Sequence, residues 1–156
     1  MTYLYNFIVG LACAIGFAVL FNVPRNSIVK TGIAGGIGWV IYILFNTITD
    51  STVLSTFVAS ATIALIGEIF AIKFKNPATV YIVPAIVPLV PGHGLYYTML
   101  SIIEKDYEAA AKYGGESILI SVAIAGALTI ILSINNFRKV KKSQRLNWLL
   151  SSRQVI

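Results

Sequence analysis

The sequence predicts an all-α polytopic membrane protein with about five transmembrane helices. The fourth is broken by proline and glycine, and a basic amphipathic C-terminal tail follows the fifth. Three observations carry this reading. The 156 residues are 57% hydrophobic and only 12% charged, with a mean hydropathy of +0.82. Several apolar runs exceed the roughly 18 residues that mark a membrane-crossing helix. Six of the twelve basic residues, Arg138, Lys139, Lys141, Lys142, Arg145 and Arg153, follow the last apolar run. Cytoplasmic enrichment of positive charge accounts for them, so the net charge of +6 does not call for a nucleic-acid partner.

The first span is read at about Tyr3–Phe21 and ends at Asn22-Val23-Pro24, where proline stops a helix. No Lys or Arg precedes it and no A-x-A-like site follows, which argues against a cleaved signal peptide. The second span, about Ile28–Phe45, follows an Asn26/Ser27 cap and carries TGIAGGIG at 31–38. Such a glycine run at mid-span points to close helix packing, not to a phosphate loop. The third, about Thr52–Phe74, takes Asp50 or Ser51 as its N-cap. The fourth is the broken segment, about Pro77–Leu100. Next comes EKDYEAAAKYGG, read as a short helix with Glu108 and Lys112 at i,i+4, stopped by Gly114-Gly115. The fifth span is about Ser117–Phe137, which sets the membrane domain at 1–137 and the tail at 138–156. With Val140, Leu146, Trp148, Leu149 and Leu150 among its bases, the tail is expected to lie on an anionic membrane face.

Charge decides the topology. If the fourth segment crosses, ten basic residues fall inside and two outside; if it is re-entrant, they divide six and six. The positive-inside rule therefore favours five crossings, N-terminus out and C-terminus in.

Within the fourth segment, PAIVPLVPGHGLYY at 84–97 is the most informative stretch. Each proline removes a backbone donor: Pro84 frees the carbonyl of Val80, Pro88 that of Pro84, and Pro91 that of Val87. Irregular backbone at membrane depth persists only inside protein or beside a watery cavity. Gly92-His93-Gly94 is expected to unwind and restart the helix at Leu95, offering free N–H groups. Freed acceptors before a break and donors after it suit a small charged solute, as in many secondary transporters.

Other candidates each carry two readings. Glu68 is a carboxylate within a span, hence a functional candidate, yet it lies near enough to the span's end to pair with Lys73 or Lys75. Thr56 and Ser60 share its face and either line a path or bond back to their own helix. His93 carries protons or binds a carboxylate, or is a loop histidine bonded to backbone. Tyr96 and Tyr97 line a cavity or belong to an interfacial aromatic belt. Cys13, alone, permits neither an internal disulfide nor a cysteine metal site, and no cofactor is expected. One buried carboxylate, one histidine and one cysteine in separate segments do not assemble an enzyme. Small residues at four-residue spacing, Ala12/Gly16, Gly32/Gly36, Ser60/Ala64 and Ala123/Ala127, exceed what internal packing needs and suggest a partner or a homo-oligomer.

Taken together, FNVPRNS at 21–27, STFVAS at 55–60 and KNPATVYIVPAIVPLVPGHGLYYTM at 75–99 resemble the threonine/serine exporter family, in its short five-span form. The likeness covers nearly the whole chain, and the P-x-x-x-P-x-x-P-G run is its most specific part. It implies that Pro84, Pro88, Pro91, Gly92 and Tyr97 form one family motif, and Asn22 and Pro24 another. It also implies a bacterial cytoplasmic membrane, a longer multispanning partner subunit and export of small hydrophilic metabolites, threonine and serine or a dicarboxylate such as succinate. A second reading, of another class, is a non-transporting membrane subunit that stabilises a partner; the small-residue faces and the Trp-containing tail support it.

Overall fold

Six α-helices occupy the described residues of the computed structural model, which describes the backbone of residues 2–153 and the side chains of residues 2–134. They are α1 (Thr2–Leu20), α2 (Arg25–Thr49), α3 (Thr52–Phe74), α4 (Thr79–Ile86), α5 (Gly92–Ile103) and α6 (Tyr107–Arg153). Among the described residues no strand occurs. Four helices, with α6 counted over Tyr107–Ile134, are long and apolar enough to cross a bilayer; α4 and α5 together make a fifth candidate. The chain is thus a helical membrane protein. The interfacial tail read at 138–156 lies outside the residues whose side chains are described.

One left-handed residue marks each reversal: Asn22, Asp50, Lys75 and Lys105 have φ of 53°, 48°, 56° and 62°. After α1, Asn22 N–H donates to Val19 O (3.1 Å) and Val23 N–H to Ala18 O (2.9 Å). That pair of bonds is the Schellman closure, with Asn22 in the position that tolerates positive φ. The FNVP motif is therefore a turn device: Asn22 ends one helix and Pro24 caps the next. α2 begins at Arg25, earlier than an Asn26/Ser27 cap would allow, because proline's fixed φ launches the helix directly. At α3 the cap is Ser51, whose side chain accepts from Leu54 N–H at 3.4 Å.

α2 packs against α1, α3 and α4, and its glycines permit the close approach. A β-carbon at Gly32 would strike Ile15, at Gly35 Ala14, at Gly36 Phe7 and at Gly38 Ile63. The core of Ala34, Ala59, Ile63, Ile82, Ala85 and Leu89 lies between α2, α3 and α4. α6 covers α3 and α5. Of the small-residue pairs, Gly32/Gly36 and Ser60/Ala64 are buried, whereas Ala12/Gly16 face outward.

A polar knot ties the opposite end of the core. Asn76 Nδ2 donates to both Ser27 Oγ and Tyr81 OH at 3.1 Å, and those two oxygens share a hydrogen bond of 3.1 Å. It joins the start of α2, the α3–α4 connection and α4.

Further sequence expectations change. The alanine-rich stretch is not a separate helix stopped by Gly114-Gly115. Asp106 caps α6 through Ala109 N–H (3.0 Å), and the helix runs through both glycines, neither of which has positive φ. Helical glycine costs only about 1 kcal/mol, and at Gly114 a side chain would crowd Thr98 of α5. The second change concerns the restart of the broken helix.

Candidate functional site

The chain breaks earlier than the glycines suggest. Pro84 stays within α4, Val87–Leu89 tightens into a 3₁₀ turn around Pro88, and Val90 is extended. Pro91 then caps α5, which starts at Gly92, not at Leu95. Helical φ suits all three residues of Gly92-His93-Gly94, so the prolines alone make the interruption. The axes on either side differ by 49°. Leu95 N–H makes the first bond of the new helix, to Pro91 O at 3.0 Å.

Nor do the freed carbonyls wait for a solute as a set. Val80 O accepts from Thr31 Oγ1 at 3.4 Å, and Val87 O from Val90 N–H at 3.1 Å. Thr31 is fully buried, so this acceptor is satisfied from α2.

Beside the break lies a cavity of about 440 Å³. That falls within the span of about 300–1,000 Å³ common for small-molecule sites. The break supplies Pro88, Leu89, Val90, Pro91, Gly92, His93 and Gly94; α2 supplies Trp39 and Tyr42, and α3 Thr52 and Thr56. The fourth wall is α6, with Tyr113, Glu116, Ser117 and Ile120. Spacings of three and four residues put these α6 side chains on one face. Trp39 stacks on Tyr42 (5.2 Å, 23°), and its Nε1, though buried, has no hydrogen-bond acceptor among the described residues.

Of the residues singled out in the sequence, the cavity gathers Thr56, Pro88, Pro91, Gly92, His93 and Gly94. Thr56 also bonds back to Thr52 O at 2.8 Å. Tyr97 stands just behind the wall, its ring 4.4 Å from His93 and 5.5 Å from Tyr113. Tyr96 points away and is 64% exposed. Pro84 instead borders a smaller hollow of about 190 Å³, together with Asn22 and Pro24. Ser60 and Glu68 line neither hollow. They continue from Thr56 along the buried stripe of α3, Ser60 with an Oγ that has no partner among the described residues. From Thr56 to Glu68 the stripe is about 18 Å long at the helical rise.

Glu116, Trp39, Tyr42, Tyr113 and Ser117 escaped the sequence reading. Ending a helix at Gly114-Gly115 placed Glu116 in a connecting loop. The signal that would have recovered it is the i,i+4 series Glu108, Lys112, Glu116, which runs straight across those glycines.

Comparison with known proteins agrees with the helical membrane architecture. The sequence model described as "Threonine/Serine exporter, ThrE" matches residues 6–134. An uncharacterized protein of Haemophilus influenzae is 30% identical over 101 residues, covering 65% of this chain and 34% of the relative. The match thus spans about a third of that relative's length. No solved structure matches.

Proposed function

The chain belongs to the threonine/serine exporter family, and from that premise we propose that it is the small subunit of a two-component secondary transporter. It moves small hydrophilic metabolites, amino acids of the threonine and serine type or a dicarboxylate, out through the bacterial cytoplasmic membrane. The observation that carries this reading is the cavity: irregular backbone from Pro88 to Pro91 borders a hollow with hydroxyl, imidazole and carboxylate groups on its walls. Bilayers admit such backbone only where it is buried in protein or lines a cavity.

In this reading the bent pair α4–α5 crosses once, the N-terminus lies outside and the C-terminus inside. The cavity then occupies the outer half, near the α2–α3 connection, and the Ser27–Asn76–Tyr81 knot closes the inner end. The buried stripe through Ser60 to Glu68 leads from one toward the other. A longer multispanning subunit of the same family completes the path. The exposed Ala12/Gly16 face of α1 supports such a partner, since among the described residues no other helix comes within 4 Å of a β-carbon placed at Gly16.

The test is efflux from cells loaded with labelled threonine, serine or succinate, with this chain expressed beside its partner. Pro91→Ala, which lets the helix continue through the break, should reduce efflux at least about tenfold while membrane insertion persists. Wild-type efflux by that variant would remove the break from the transport path.

A further inference from the structure

Glu116 lies nine residues inside α6, whose first residue is Tyr107. At the helical rise that is about 14 Å along the axis. It belongs to the helix Tyr107–Ile134 that is long and apolar enough to cross a membrane, and it stands exposed at the edge of that helix's apolar run 117–134, on the wall of the cavity. Among the described residues lining the cavity Glu116 is the one Asp, Glu, Lys or Arg.

Donors occupy other walls. Trp39 Nε1 on α2 is buried without an acceptor among the described residues. The first turn of α5, Gly92 to Gly94, precedes the helix's first i→i−4 bond at Leu95, so the amides of His93 and Gly94 lie ahead of the ladder. The cavity therefore has a carboxylate on one side and N–H donors on others.

We propose that Glu116 is the specificity-determining residue of this cavity, receiving the ammonium group of an amino-acid zwitterion whose carboxylate meets the Trp39 N–H. Charge-assisted hydrogen bonds are the strongest available to it. A solute anionic at both ends would bring a second carboxylate against Glu116 with no Lys or Arg among the described wall residues to offset it. Discrimination against dicarboxylates thus follows from repulsion as much as from attraction. The inference rests on the exporter reading and narrows its two substrate classes to one.

The test measures binding of labelled L-threonine and of succinate to the full-length chain in lipid nanodiscs. Wild type should bind threonine in preference to succinate. Glu116→Gln should weaken threonine at least about tenfold, and Glu116→Asp should restore most of it. Glu108→Gln, on the first turn of α6 and outside the cavity, should leave both unchanged, and a melting curve for each variant separates lost folding from lost binding. Unchanged threonine binding in a folded Glu116→Gln, or a wild-type preference for succinate, overturns the inference and leaves the exporter reading standing. If wild type binds neither probe, the solute-cavity reading and the inference fall together.

Discussion

Thr31 on α2 donates to the carbonyl of Val80 on α4 at 3.4 Å, the same carbonyl that Pro84 deprives of its helical partner. The bond is long, and the Thr31 hydroxyl also donates to Ser27 O at 3.0 Å, so it is shared between two acceptors. Its importance is the alternative: an acceptor in a bilayer-spanning core with nothing to accept from. Proline breaks the α4 ladder, and a neighbouring helix repairs it.

Thr31→Val keeps the shape and removes the donor. It should destabilise the protein by about 1 kcal/mol, the cost of leaving a buried acceptor unmet. Thr31→Ser should be close to neutral. Thermal unfolding in mild detergent reads the difference, and equal melting of wild type and Thr31→Val would show that Val80 O needs no such donor.

The knot at the other end of the core predicts coupling. Tyr81 is fully buried, and its hydroxyl meets both Ser27 and Asn76. Tyr81→Phe and Ser27→Ala should each destabilise, but the double variant should cost less than their sum, by about 0.5–2 kcal/mol, because they remove the same network. Additive melting shifts would make the three side chains independent.

Glycines at the break should differ sharply. A β-carbon at Gly94 runs into Ser117 of α6, whereas at Gly92 it meets nothing within 4 Å. Gly94→Ala should therefore cost about 1–3 kcal/mol through overpacking where α5 meets α6. Gly92→Ala should fold normally, and Gly92→Leu should fold yet obstruct the cavity and block efflux. Comparable stabilities for Gly94→Ala and Gly92→Ala, measured by the same melts, would contradict the close α5–α6 contact.

Local signals were legible in the sequence because they act over a few residues. Apolar length gave the helices, Asn22-Val23-Pro24 gave the first reversal, Ser51 gave a cap, and the glycine run of α2 gave its packing. The proline run marked the interruption, but the restart was misplaced: glycine permits unwinding without requiring it, and Pro91 already supplies the cap. What stayed hidden is non-local. Thr31 and Val80 are 49 residues apart, and no spacing rule pairs them. Trp39 and Tyr42 carry no local signal of a site, and only the fold brings them to one cavity with α6. Glu116 was concealed by one wrong boundary, since a pair of glycines signals a helix end only where one takes positive φ, and neither does.

The central claim is that the chain from Pro88 to Gly94 borders a water-accessible solute path. Single cysteines at Gly92, His93 and Thr52, in a Cys13→Ser background with the partner present, can be probed in membrane vesicles by a membrane-impermeant thiol reagent. Met99, 67% exposed on the outward face of α5, serves as the lipid-facing comparison. The account predicts rapid labelling at the three cavity positions, slowed by transported solute, and little at position 99. Uniformly unreactive cavity positions, or labelling that solute leaves unaffected, would contradict it.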